Sequence, residues 1–308
     1  MEPIAVDPRI AEVLARYNDR RGKEKLALVL NGGGLLGAHA FMKIYRLWEM
    51  GVFAYVEMIV GTSVGALNAL LVGKYRDDLG PAFKQWKAIN KNSDIYNGNI
   101  SLPALLWDFV TGARSALYPK GLYDILDKHF CGMKLSDFPV EIITTATDMG
   151  IGICDGGIGN NSPMMTAIEH GATKLISIGT HPDISCGKML VRQGGYNAVL
   201  AGKESSAIPV GFPVISEKPV KMVDVAKQLL PVIMSVFEEY MWSEKEWYDK
   251  LTTENPGKYP SVEMLSSYPE KDLGNMLDAT WTGKRMNDGY AEACRHFTIE
   301  AIDRLLNT

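Results

Sequence analysis

What is scarce in this sequence narrows it first. The 308 residues include four cysteines, Cys131, Cys154, Cys186 and Cys294, which are widely scattered. None shows C-x-x-C spacing or has paired histidines nearby, so a zinc site is not indicated and free thiols in a reducing cytosol are expected. Basic clusters are also missing. Thirty-two Lys and Arg against 36 Asp and Glu give a formal net charge of −4, and no nucleic acid is expected as a partner. No uninterrupted apolar run approaches membrane-spanning length, and Met1 to Lys25 is polar and charged without the apolar segment of a signal sequence. A soluble cytoplasmic protein is the expectation. There is no Gly-Lys-Ser/Thr, which removes the P-loop reading, and Gly32, Gly34 and Gly37 match a dinucleotide fingerprint only as part of a triple glycine.

What is present is an ordinary globular composition, 46% hydrophobic and 22% charged, in a chain long enough for a substantial core. Residues 8 to 21 have helical spacing, with Ile10, Val13, Leu14 and Tyr17 on one face. Leu26-Ala27-Leu28-Val29-Leu30 then reads as a buried parallel strand running into Asn31-Gly32-Gly33-Gly34-Leu35-Leu36-Gly37, followed by helical periodicity from Ala38 to Met50 that stops at Gly51. A second unit repeats the plan. Val56 to Val60 is a strand, Gly61-Thr62-Ser63-Val64-Gly65 a sharp turn, and the residues from Val64 onward open a helix.

This strand, turn and helix context is what a nucleophile elbow requires. A serine on such a turn is strained, and side chains at Gly61 and Gly65 would collide with neighbouring backbone. Ser63 would point into a cleft, with the amino end of the helix suited to a developing oxyanion. Alternation of strands and helices predicts an α/β fold, a mostly parallel sheet covered by helices on both faces. Both glycine turns should meet at the carboxyl ends of neighbouring strands. Downstream, residues 80 to 130 read as helices and loops, with Leu102 to Val110 apolar and Gly121 to Phe130 a helix, that shape an acyl pocket or pack over the sheet. Val140 to Thr147 reads as a strand, and Asp155-Gly156-Gly157 as a glycine turn. Ser162 and Pro163 then precede a helix as N-cap and first helical residue.

Taken together, Gly32-Gly33-Gly34-Leu35-Leu36-Gly37, Gly61-Thr62-Ser63-Val64-Gly65 and Asp155-Gly156-Gly157 make residues 25 to about 220 resemble the patatin-like phospholipases. The resemblance implies a Ser–Asp dyad, with Ser63 as nucleophile, Asp155 as base, Gly32, Gly33 and Gly34 as oxyanion hole, and no metal or cofactor. The implied reaction is hydrolysis of a phospholipid, lysophospholipid or other fatty-acyl ester through an acyl-enzyme. A serine hydroxyl needs an adjacent base at neutral pH, and a partly buried carboxylate can serve without an imidazole. His170 and His181 are the triad alternatives to test. Two departures from the family pattern stand out. Leu36 replaces a usually basic residue. The family's Ser-Ser-x-x-Pro segment, here Ser205-Ser206-Ala207-Ile208-Pro209, follows Asp155 instead of preceding it, as if residues 151–185 and 186–220 were exchanged. That order makes Asp224 a rival base, although it lacks the following glycines. Asp288, in a third Asp-Gly, reads as a turn.

The expected organisation is an N-terminal helix or extension at 1–24, an acyl hydrolase core at 25–220 and a helical C-terminal part at 221–308 packed on the core. Within the last part, Leu229, Ile233, Val236, Phe237 and Tyr240 share one helical face. Core packing or transient contact with a membrane surface would account for it, but the flanking Glu238, Glu239, Glu244 and Glu246 disfavour adsorption to anionic lipid. Residues 252 to 286 read as loop-rich and Asp288 to Leu306 as a closing helix. The alternative to a hydrolase is a catalytically inactive protein that keeps the fold for lipid binding or interaction. Acyl transfer to an acceptor other than water is a third reading.

Overall fold

The computed structural model describes residues 7–96, 120–148, 153–156, 160–180 and 244–308. Among these, six strands form one sheet: β1 Leu26–Leu30, β2 Met58–Thr62, β3 Glu141–Asp148, β4 Ile153–Asp155, β5 Lys174–Ile178 and β6 Glu263–Ser267. Their order is β4-β3-β2-β1-β5-β6. The five from β3 to β6 run parallel, and β4 returns antiparallel along β3 at the edge. The helices are α1 Pro8–Asn18, α2 Gly37–Glu49, α3 Val64–Lys74, α4 Gly80–Ala88, α5 Lys120–Phe130, α6 Met164–Glu169, α7 Glu244–Glu254, α8 Thr282–His296 and α9 Ile299–Asn307.

The apolar runs of the central strands follow from a sheet covered on both faces. Along β1, Leu26, Leu28 and Leu30 join the core built with α1, α2, α3, α8 and α9. Ala27 and Val29 face the other way, into a smaller core completed by Met164 and Ile168 of α6 and Tyr248 and Leu251 of α7. Each buried Leu or Val contributes about 1.5–3 kcal/mol relative to exposure. Helix α2 stops where expected, with Gly51 in the left-handed conformation at φ 77°. Helix α1 lies against α9, joined by an Arg16–Asp303 ion pair at 2.6 Å.

Four local expectations are corrected. The stretch read as loop-rich supplies β6, a strand with only two apolar residues, Met264 and Leu265, whose pairing with β5 rather than its own pattern defines it. Asp288 is not in a turn but inside α8, where its carboxylate meets Lys284 at 2.7 Å and Lys271 at 3.2 Å. The neighbouring glycine serves packing: a Cβ on Gly289 would run into the His39 carbonyl of α2. The closing helix is two helices, broken at buried Phe297, with the Thr298 side chain capping α9 by accepting from the Ala301 amide at 3.2 Å. Pro163 rather than Ser162 caps α6, which starts at Met164. No helix among the described residues is long and apolar enough to cross a membrane.

Candidate active site

Strand β2 passes directly into α3 through Ser63, at φ 53° and ψ −120°. It is the one non-glycine residue with positive φ among those described. Holding it there costs on the order of 1–3 kcal/mol, so the surroundings must fix the turn, and they do. The Thr62 hydroxyl bonds the Thr145 hydroxyl of β3 at 2.6 Å and donates to the Asn160 carbonyl at 2.9 Å. The flanking glycines are needed for space: a Cβ on Gly61 would lie 2.5 Å from the Gly65 carbonyl, and one on Gly65 would strike the Leu30 carbonyl. The elbow is therefore clamped onto the end of β1.

The glycine loop after β1 lies against this turn. A Cβ on Gly32 would sit 3.2 Å from the Ser63 Cβ. The Gly32 amide donates to the Asn161 carbonyl at 3.2 Å, and its carbonyl accepts from Asn161 Nδ2 at 3.3 Å and from the Thr180 hydroxyl. Gly32 is thus fixed as an anchor. Gly33 and Gly34 follow, with Gly34 at φ 55°, and no main-chain carbonyl among the described residues takes their amides. The loop closes as a short 3-10 turn in which the Leu36 amide donates to the Gly33 carbonyl at 3.1 Å. The Leu36 side chain is buried and brings no charge to the loop.

Ser63 and Asp155 line one cavity of about 550 Å³. Asp155 ends β4 opposite Ala146, two strands from β2. At about 4.8 Å per strand its backbone lies roughly 10 Å from that of the elbow. Thr144 and Thr145 of β3 line the interval. Gly156 presses on Thr145, where a Cβ would come 2.5 Å from the carbonyl oxygen. The rest of the wall is largely apolar, including Leu67, Leu70, Trp86, Ile95, Leu122 and Leu126. Two residues that sequence reasoning did not single out frame it. Trp86 donates to Asn68 Oδ1 at 2.8 Å, and Asn68 Nδ2 donates to the Gly37 carbonyl at 3.0 Å, so three helices are tied together behind the cavity. The only available signal was a lone Asn in the apolar run of α3.

None of the four described histidines lines the cavity. His170 follows α6, and its carbonyl accepts from Lys25 at 3.2 Å. Lys25 precedes β1, so His170 lies at the amino edge of the sheet, opposite Ser63. His129 is held between the Tyr75 hydroxyl at 2.8 Å and Gln85 at 3.0 Å. His39 is buried beside Glu292 at 2.9 Å, and burial pushes its pKa below the ordinary value. His296 completes a Ser-His-Glu chain, 2.8 Å from the Ser267 hydroxyl and 3.2 Å from Glu270. Ser267 is fully buried, however, and does not line the cavity that holds Ser63. His181, Asp224, Gly157, Ser205 to Pro209, Leu102 to Val110 and the apolar face from Leu229 to Tyr240 lie outside the described residues.

A strained serine elbow thus stands beside a glycine loop at the carboxyl edge of a parallel sheet. Residues 28–149 match the family model described as patatin-like phospholipase. No curated protein matches the chain. The match makes this span similar to a lipid acyl hydrolase domain and accords with the α/β architecture. Within the patatin-like span lie most of β1, the glycine loop, α2, the elbow, α3 and the whole of β3. Asp155, β5, β6 and α8 lie beyond it.

Proposed function

We propose that the protein hydrolyses fatty-acyl esters of phospholipids or lysophospholipids, a phospholipase A or lysophospholipase type of reaction. Ser63 attacks the ester carbonyl while Asp155 accepts the hydroxyl proton, and the amides of Gly33 and Gly34 stabilise the oxyanion. Collapse of the tetrahedral intermediate expels the alcohol, which takes the proton from Asp155. Water then attacks the acyl-enzyme, delivering a proton to Asp155, and Ser63 recovers its own as the fatty acid leaves. The observation that carries this reading is Ser63 at φ 53° on the wall of an apolar cavity that Asp155 also lines. The apolar wall suits an acyl chain. Met276, exposed and lining the same cavity, is suited to transient contact with a lipid surface during loading.

Fluorophosphonate labelling, read alongside turnover of p-nitrophenyl acyl esters and lysophospholipid, tests this. Wild type should label at Ser63. Ser63→Ala should neither label nor turn over, and Asp155→Asn should lose at least about 10²-fold in kcat, the lower range for a general base. A wild type that neither labels nor hydrolyses would overturn the reading in favour of a lipid-binding protein that keeps the fold.

A further inference from the structure

The glycine loop is supported from a part of the chain outside the patatin-like span. Between β6 and α8 the chain crosses above Gly34: the Met276 carbonyl accepts from the Leu35 amide at 2.8 Å. A Cβ on Gly34 would come 2.7 Å from that same oxygen. Met276 therefore bears directly on the residues whose amides are assigned to the oxyanion. What holds Met276 is Arg285, in the first turns of α8. It is 2% exposed. Its guanidinium donates from Nε to the Leu273 carbonyl at 3.1 Å, from one terminal nitrogen to the Asp278 carbonyl at 2.6 Å and from the other to the Asn275 carbonyl at 2.7 Å. Each of its three nitrogens takes a different carbonyl, and two of those carbonyls bracket Met276.

We propose that Arg285 is a positioning residue for the oxyanion loop, setting the Gly33 and Gly34 amides through the Met276 carbonyl; this rests on the hydrolase reading above. A buried arginine bound to three main-chain carbonyls is a device for shape: it is always charged, its fork is planar, and a lysine cannot reproduce three fixed donor directions. The loop has local bonds of its own, Gly274 amide to Asp272 at 2.9 Å and Leu277 amide to Asn275 at 2.9 Å. These fix individual turns, while Arg285 ties both ends of the 273–278 arc to α8. Oxyanion donors act only when aimed at where charge develops, and misplacement by about 1 Å costs on the order of 10²-fold.

The test compares wild type, Arg285→Lys, Arg285→Met and Leu14→Ala; the last loosens the α1–α9 region, remote from the site, and controls for lost stability. With p-nitrophenyl esters well below each variant's melting temperature, Arg285→Lys should lose about tenfold in kcat and Arg285→Met about 10²-fold, with KM within twofold and Leu14→Ala at wild-type kcat. Amide hydrogen exchange of the peptide covering Asn31 to Gly37 should rise in both Arg285 variants and not in Leu14→Ala. Wild-type kcat in Arg285→Lys, or a loss carried by KM, would overturn the proposal, as would unchanged exchange in the loop. If wild type turns over no ester, the hydrolase reading has failed, and the exchange arm still decides whether Arg285 sets this loop.

Discussion

Removing the carboxylate of Glu292 gives a pH-dependent loss of stability whose size follows from the structure. Glu292 sits between α8 and α2, 2% exposed, with His39 Nε2 at 2.9 Å and Lys43 Nζ at 3.4 Å. Burial alone would raise its pKa, but the His39 contact and the charges of His39 and Lys43 hold it down to about 2. Against an unfolded value near 4.5, that is worth about 3 kcal/mol at pH 7, at about 1.4 kcal/mol per unit. A carboxylate depressed in the fold stabilises above its unfolded pKa and loses this as pH falls through the folded one. The contribution should therefore shrink to about 1 kcal/mol by pH 3 and vanish below pH 2. Lys43 has the opposite sign: burial lowers it from 10.5 to about 8, so its cost is present below pH 8 and relieved as pH rises towards 10.5. Glu292→Gln should thus lose about 3 kcal/mol or more at pH 7, since it also leaves the buried Lys43 ammonium, still bonded to the Ser267 carbonyl, without a counter-charge. Urea unfolding followed by tryptophan fluorescence at pH 7 and pH 3 measures the gap. The double variant Lys43→Met/Glu292→Met should regain most of the loss. A gap of equal size at both pH values would refute the electrostatic account and leave only a packing defect.

Two substitutions at the elbow and cavity follow from the same contacts. Gly65→Ala drives a methyl into the Leu30 carbonyl; about 2 kcal/mol or more should be lost, as for overpacking at a rigid site, with fluorophosphonate labelling abolished even where circular dichroism shows a folded chain. Trp86→Ala empties the wall behind α3 and strands Asn68 Oδ1, at a cost of about 3–5 kcal/mol. Chain-length profiles of ester turnover should shift towards longer acyl groups, and an unmoved optimum would show that Trp86 does not bound the acyl site.

The parts of this fold that could be read ahead were those in which local chemistry and tertiary environment agree. Leu26 to Leu30 and the Ser63 elbow are examples: a doubly covered strand needs an unbroken apolar run, and a serine at positive φ between close backbones needs Gly61 and Gly65. The hidden parts were defined by partners distant in sequence. Glu263 to Ser267 carries no strand pattern of its own and is a strand because β5 offers an edge. Asp288-Gly289 has the composition of a turn, yet lies in a helix because α2 must approach α8 closely and the Asp288 carboxylate finds two lysines. Gly32 looked like the first donor of an oxyanion loop. Its amide is committed to the Asn161 carbonyl, a pairing across 129 positions that no local pattern encodes.

The same distinction bears on which residues of α8 matter. Arg285, Gly289 and Glu292 fall at i, i+4 and i+7, one face of the helix. Each meets a different need of the glycine loop and of α2, which begins at its end. Arg285 holds the arc that carries the Met276 carbonyl to the Leu35 amide. Gly289 lets the helix close on His39, and Glu292 neutralises the cation that α2 buries. From sequence they look like an ordinary surface arginine, a turn glycine and a solvated glutamate. Their burial makes sense once α2 is treated as part of the frame around the candidate site, because a helix whose first turn follows Gly33 and Gly34 transmits any tilt to their amides. A face of α8 built of three such residues, all beyond the patatin-like span, makes that helix a structural support of the candidate site.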